Sequence, residues 1–364
     1  MMNLLLTDEI VIWLPVYELN NPAYTNFNYL LFTIVYMVLM SISAYFTVLL
    51  VVTSWRIRKF HKNMTICFSF YFGVWFECWI GVVLTWPYKC GLLVVDDSNQ
   101  LFTNFELSDT SRMARITNYS ESTFLLLGSF LIWHYLASTV SGMCNFVIER
   151  AIATFFFSDY EKIERSYIGY GLLLTSQFAV IQSSILLFFY IFTLKYALII
   201  TITLLSSVVI SFFFLLHYNT SLRNQLDISQ IKISYNLAAR FQAAENARSL
   251  KLAIFVFAVI CCIFVTAISM LLIVLFRLVP DESNYIVTSA FECIFSLNPL
   301  FIVPAAMFSV PEWKEAFCKH VPFMANNKLA RRTTRFADAK VNHELRVSME
   351  TNLYFVQLED SWKT

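Results

Sequence analysis

Polar residues along this chain are gathered into short clusters, and the intervals between them are long and apolar. Seven intervals reach the roughly 20 residues a helix needs to cross a hydrocarbon core of about 30 Å. They are 29–53, 64–86, 120–148, 167–190, 196–218, 252–276 and 285–309. None shows a sustained period-two alternation, so the pattern predicts helices and not the strands of a barrel. The fourth and fifth are parted only by a few residues around Phe192 to Lys195. Fusing them would give a run of about fifty residues, more than twice any sensible span, so two are expected. Residues 234–251, SYNLAARFQAAENARSLK, are rich in helix formers, with Leu237, Phe241 and Ala244 on one face. They are expected to prolong span six beyond the bilayer, either toward a partner protein or along lipid headgroups. Residues 311–318, PEWKEAFC, read as a short interfacial helix with Trp313 and Phe317 on one side.

Composition agrees. The chain is 58% hydrophobic and 14% charged, against roughly 25% charged for soluble domains. Thirty-six Phe and seven Gly again favour helices. The fold class predicted is an all-α membrane protein, a seven-transmembrane helix bundle. A net charge of +1 does not point to nucleic acid, but the placement of the charges is informative. The first 28 residues hold no Lys or Arg, whereas 21 of the 26 basic residues fall in the loops after spans one, three and five and in the tail. The positive-inside rule then sets the N-terminus outside and the C-terminus in the cytoplasm. It excludes a seven-helix protein of inverted orientation. The domains expected are an extracellular N-tail (1–28), the bundle (29–309) and a cytoplasmic tail (310–364).

The N-terminus lacks a basic region, and Asp8 and Glu9 interrupt its apolar stretch, so no cleaved signal peptide is expected. The first outer loop, about 87–119, is long and acidic; the second and third are very short. Asn118 opens a glycosylation sequon on the outer side, close against span three, while the sequons at Asn63 and Asn219 face the cytoplasm and should stay bare. The eight cysteines show no CxxC and no His partner at ligand spacing, so no metal and no cofactor are expected. Most lie in apolar runs, where Cys packs as a small hydrophobe. Cys318, beside the interfacial helix face, is a palmitoylation candidate. No internal repeat or pair of broken spans suggests a secondary transporter, and no catalytic motif suggests an enzyme.

Several residues could carry chemistry. Glu149-Arg150 ends span three on the inner side, where a buried ionic dyad is costly unless its members are satisfied. Arg150 can latch to the base of span six, with Glu245 as the candidate partner, or simply anchor the helix beside a solvated Glu. Asn298-Pro299 interrupts span seven, and Pro304 follows. Proline removes a helical hydrogen bond, kinks the helix and frees carbonyls. Glu77 in span two and Glu292 in span seven lie roughly 10–15 Å below the outer surface at 1.5 Å per residue. His134 in span three sits at a comparable depth. The two acids can share a proton, bind a cation, meet a cationic ligand or stay neutral on a neighbouring helix.

Four blocks of the chain, KNMTICFSFYFGVWFECWIGVVLTWPYKCG (62–91), HYLASTVSGMCNFVIERAIATFFFSDYE (134–161), SYNLAARFQAAENARSLK (234–251) and NPLFIVPAAMFSVPEWK (298–314), resemble the nematode serpentine receptors of class epsilon, the Sre chemoreceptors. The resemblance implies a seven-transmembrane G-protein-coupled receptor on sensory neurons. Such a receptor binds a small-molecule ligand among the outer helix halves, where Glu77, His134 and Glu292 are the pocket candidates, and activates a heterotrimeric G protein. It also implies that Glu149 and Arg150 correspond to the acidic-Arg dyad of rhodopsin-like receptors and Asn298-Pro299 to their NPxxY. Departures are Ile302 in place of the Tyr and no aromatic after Arg150. No disulfide can join the top of span three to the second outer loop, so the long first outer loop is expected to supply the lid. Two further functions remain open on the residues: a channel or transporter using Glu77 and Glu292, and an accessory subunit.

Overall fold

In the computed structural model the chain is described over residues 2–7, 10–95, 101–102, 113–116, 119–156, 165–228, 237–276, 278–280 and 284–321. It divides into two units, Met1–Ala305 and Ala306–Thr364. Among the described residues, seven helices are long and apolar enough to cross a membrane: Phe27–Arg56, Lys62–Lys89, Tyr119–Phe155, Ser166–Phe188, Lys195–Leu222, Leu252–Ile273 and Ile286–Ser309.

Span one is α1 (Phe27–Arg56). Span two is two helices, α2 (Lys62–Gly73) and α3 (Trp75–Lys89), parted at Val74. His61 starts α2 by accepting the Asn63 amide at 3.2 Å. Span three is α4 (Tyr119–Phe155) and span four α5 (Ser166–Phe188). Spans five and six are carried by α6 (Leu194–Ile228) and α7 (Leu237–Leu275), both running well past bilayer length. The expected prolongation of span six is therefore present as one continuous helix. Span seven is α8 (Asn284–Ser296) and α9 (Pro299–Ser309), broken at the expected Asn298-Pro299. In the second unit, α10 (Pro311–His320) opens on its proline, and Phe317 meets Phe308 edge-on at 5.7 Å.

The turn between spans four and five explains why its place was hard to read. Tyr190 takes the left-handed conformation, φ 52°, at the position where helices commonly end on glycine. Ile191 N–H then returns to Leu186 O and Tyr190 N–H to Leu187 O, both at 3.0 Å, the paired closure of a helix end. A tyrosine there costs about 1–2 kcal/mol of backbone strain, and its ring is held edge-on to Trp13 at 5.8 Å.

The first 28 residues are not a free tail. Strands β1 (Met2–Leu5) and β2 (Val11–Leu14) pair antiparallel, and β3 (Ala114–Arg115), from the first long loop, pairs parallel to β1. These strands, two to four residues long, are too short to have shown the alternation by which sheets are recognised. The segment then docks on the end of span two. Gly91, φ 72°, closes α3, and the last carbonyls of that helix, Tyr88 and Lys89, accept the amides of Asn20 and Asn21 at 2.9 Å each. Helix termini leave such carbonyls without internal partners, so the N-terminal segment supplies them. Leu19 and Phe102 exchange amide hydrogen bonds at 3.0 and 3.1 Å. Ile12, Trp13, Leu14, Val16 and Tyr17 are all buried and form one core with Trp133, Phe188, Leu271 and Phe291 of the bundle. The lid is thus shared: the N-terminal segment does most of the covering, and the described parts of the first loop brace it.

Candidate functional site

Several polar constellations and three cavities lie among the described residues of the first unit. Glu149 and Arg150, near the end of α4, are each 1% exposed. Arg150 grips Glu149 with two nearly parallel bonds, Nε to Oε2 at 2.5 Å and Nη2 to Oε1 at 2.6 Å. Its remaining edge crosses to α7, where Nη1 donates to Asn246 Oδ1 at 3.2 Å and Ser249 Oγ at 3.1 Å. Asn246 in turn donates to Asn219 of α6 at 3.2 Å, and Asn219 donates to Thr154 of α4 at 3.0 Å. A buried guanidinium is tolerated only when its charge and its donors are met, and this ring of partners meets them with three helices. Glu245 lies on α7 one residue from Asn246, and its side chain falls outside the described ones. Asn219, Asn246 and Ser249 were missed in the sequence. The available signal was Asn219 at the end of an apolar run, since polar side chains at membrane depth usually hydrogen-bond another helix; Asn246 and Ser249 stand among other polar residues and gave none.

The second constellation surrounds the span-seven break. Pro299 has no amide to give Phe295 O, and Leu300 N–H turns to Leu297 O at 3.0 Å instead of reaching Ser296 O. Side chains from other spans take up the two carbonyls: Trp75 Nε1 donates to Ser296 O at 2.8 Å, and Tyr135 Oη to Phe295 O at 3.4 Å. Asn298 Nδ2 donates to Tyr135 Oη, and Tyr36 Oη donates to Ser296 Oγ at 2.7 Å. The break is therefore held from spans one, two and three. A cavity of about 110 Å³ separates it from the dyad, with Tyr135, Asn298, Pro299 and Glu149 all on its walls. Ile302, at the place of the missing tyrosine, also lines it.

Toward the end of the bundle that carries the N-terminal segment lies a larger cavity, about 330 Å³, between spans three to seven. Trp13 roofs it, with its ring 4.7 Å from that of Trp133, and Trp133 Nε1 donates to Trp13 O at 2.8 Å. The three expected pocket residues are elsewhere. Glu77 meets His134, Oε2 to Nδ1 at 2.5 Å, in the seam of spans two and three. The helices close tightly there, since a Cβ on Gly81 would lie 2.7 Å from Gly128 O. Glu292 pairs with Lys89 of α3. That pair borders a separate void of about 40 Å³ beneath Pro15 and Val16. The acids thus do not share a proton with each other; each has its own base. Buried Glu18 belongs to the same neighbourhood. Burial pushes its carboxyl up from the ordinary glutamate value, Asn21 pulls it down through a 2.8 Å bond, and Glu292 and Lys89 act in opposite senses. Asn118 lies outside the described residues. Cys318 is partly buried on α10, and all eight cysteines are free thiols.

Seven membrane-length helices, an ionic dyad at the base of the third and a proline break in the seventh define a multi-pass membrane protein of the serpentine receptor type. The chain belongs to the Sre family: the Sre G protein-coupled chemoreceptor profile matches residues 2–363. Among its relatives in Caenorhabditis elegans, serpentine receptor class epsilon-38 is 28% identical, covering 96% of this chain and 97% of the relative. Serpentine receptor class epsilon-29 is 29% identical over 96% and 97%, and class epsilon-33 is 30% identical over 84% and 85%. No solved structure matches. The family is one of G protein-coupled chemoreceptors, a receptor family and not an enzyme family, and membership supports a chemoreceptor role for this chain.

Proposed function

We propose that the chain is a plasma-membrane receptor of sensory neurons, with its N-terminus outside. A small molecule binds in the cavity under the N-terminal segment, and the receptor responds by activating a heterotrimeric G protein at the dyad end. The observation that carries this is the buried Arg150, clamped to Glu149 and to Asn246 and Ser249 of span six. A charged tie between the bases of spans three and six holds one arrangement of the helices. A ligand favouring another arrangement would shift the balance between them. The concentration of Lys and Arg at the dyad end supports the orientation. Glu245 and the inner turns of α7 are proposed to join the G-protein surface. The ion-path alternative is weaker, since Glu77 and Glu292 each hold a base and neither borders the large cavity. Lys89-Glu292 and His134-Glu77 are better assigned as interhelical clamps.

The test is a ligand screen read by G-protein activation in a heterologous cell, repeated with Arg150→Ala. Ligand-evoked signalling that persists unchanged in that variant would sink the mechanism. Ligand-gated current in cells lacking G proteins, abolished by Glu77→Gln, would favour the channel instead. We assign Cys318 as the acylation site of α10, to be read as a mass shift on acyl exchange that Cys318→Ser removes.

A further inference from the structure

We propose that the cavity under the N-terminal segment takes a neutral, mostly apolar molecule bearing one hydrogen-bond acceptor, a ketone, aldehyde or ester, with the Trp13 indole N–H as donor. This deepens the receptor function proposed above and rests on it.

The walls set the charge of the ligand. Among the described residues lining the cavity there is no Asp, Glu, Lys, Arg or His; rings and aliphatic chains dominate. An ion entering would lose its hydration and find no countercharge, a cost far above what contact area returns. The volume sets the size. At the packing density of protein interiors, about 330 Å³ holds on the order of 10–15 non-hydrogen atoms.

The donors set the functional group. Trp133 N–H is committed to Trp13 O at 2.8 Å and the Ser183 hydroxyl to Ala179 O at 2.8 Å, Ser141 Oγ lies 3.4 Å from Tyr71 Oη, and the Thr201 hydroxyl also lines the cavity. Trp13 differs: it is 1% exposed, lines the cavity, and its Nε1 has no acceptor among the described residues. A buried donor left unmade is a standing penalty, relieved when an acceptor arrives. The nitrogen is sealed at the ring edge, so contact requires a tilt of the indole, whose rim abuts Trp133 and Tyr190. Recognition would then move a residue of the N-terminal segment itself. A site with a donor to satisfy discriminates against molecules that lack the acceptor.

The full-length protein in nanodiscs is titrated with nonan-5-one, n-nonane, nonanoate and nonylammonium. Binding is read as a thermal shift and as quenching of tryptophan fluorescence, with no G protein present. The ketone should bind about three- to tenfold more tightly than the alkane, the span of one neutral hydrogen bond. Trp13→Phe should erase that preference and leave the alkane unchanged, and both ions should bind more weakly still. Thr201→Trp, which fills the cavity from span five, should abolish binding of ketone and alkane alike, and covers the case where Trp13→Phe fails to fold. A ketone preference that survives Trp13→Phe, ions that bind as well as the ketone, or no saturable ketone binding would each overturn the proposal. A ketone that binds but activates no G protein would sink the receptor mechanism and leave this site standing. Signalling indifferent to Thr201→Trp would do the reverse.

Discussion

Replacing Asn246 by Ala tests the latch at its least buttressed point. The side chain accepts from the Arg150 guanidinium at 3.2 Å and donates to Asn219 at 3.2 Å, so one truncation removes its bond to span five and one of the two bonds by which Arg150 crosses to span six. A hydrogen bond to a charged group contributes about 1.5–3 kcal/mol. The low end applies here, because 3.2 Å is at the long end for such bonds and Ser249 still accepts from the same nitrogen at 3.1 Å. A loss of about 1.4 kcal/mol confined to the latched arrangement shifts the equilibrium tenfold. From a resting active fraction on the order of 1%, basal activity would rise to on the order of 10%. The assay is nucleotide exchange on a G protein by receptor in nanodiscs without ligand, normalised to folded receptor. Asn246→Asp is the opposing variant: it keeps the acceptor, adds a negative charge beside Arg150 and should lower the basal rate. Basal exchange unchanged in both variants, with both folded, would refute the latch.

Three further outcomes follow from the packing. Gly81→Ala places a Cβ 2.7 Å from Gly128 O and should destabilise the seam of spans two and three by about 1–3 kcal/mol, seen as a lower thermal midpoint; an unchanged midpoint would show the seam has slack. Lys89→Met leaves the partly exposed Glu292 without its base and should cost about 1–3 kcal/mol, while Lys89→Met with Glu292→Met should recover most of it. Failure of the double variant to recover would mean the pair has partners beyond each other. For Glu18, the folded carboxyl titrates above its unfolded value, so the folded state binds more protons between the two values. Stability is then highest below the unfolded value and falls as pH rises through the folded one. Protection factors for the amides of residues 11–21, taken against the intrinsic exchange rate at each pH, should be higher at acidic than at neutral pH, and Glu18→Gln should flatten that difference.

The bundle was legible because membrane spans are written in length and hydrophobicity, and every helix needs both. The span-seven break was legible too, since proline deletes a donor wherever it stands. The lid was not. Strands of four residues carry no periodicity to count, and nothing in residues 2–21 announces that their amides complete the end of α3. The dyad was visible as a charge pair at a membrane edge, whereas its uncharged partners on span six were not. Arg150 is already neutralised by Glu149, so what its outer nitrogen requires is acceptors, and Asn246 and Ser249 supply them. Glu77 and Glu292 were open to several readings in the sequence, and their bases could not be named there because His134 and Lys89 each come from another helix.

Between the large cavity and the dyad runs a short chain of contacts with Tyr135 at its centre. Phe291 and Phe295 line the large cavity, and the Phe295 carbonyl accepts from the Tyr135 hydroxyl at 3.4 Å. Asn298 donates to that same hydroxyl, and both residues share the smaller cavity with Glu149. Contiguity alone is not coupling; the warrant would be an element with two arrangements that both ends bias. The break at Leu297 and Asn298 is the candidate, because its carbonyls are held by side chains and not by its own helix. Tyr135→Phe keeps the ring and removes the hydroxyl that braces it. If break and latch move as one, combining Tyr135→Phe with Asn246→Ala should raise basal exchange by a factor that departs from the product of the single effects, by about 0.5 kcal/mol or more. Tyr135 and Asn246 share no hydrogen bond in the structure, so a product within error would mean that the break and the latch respond separately, and that ligand must reach the dyad by another route.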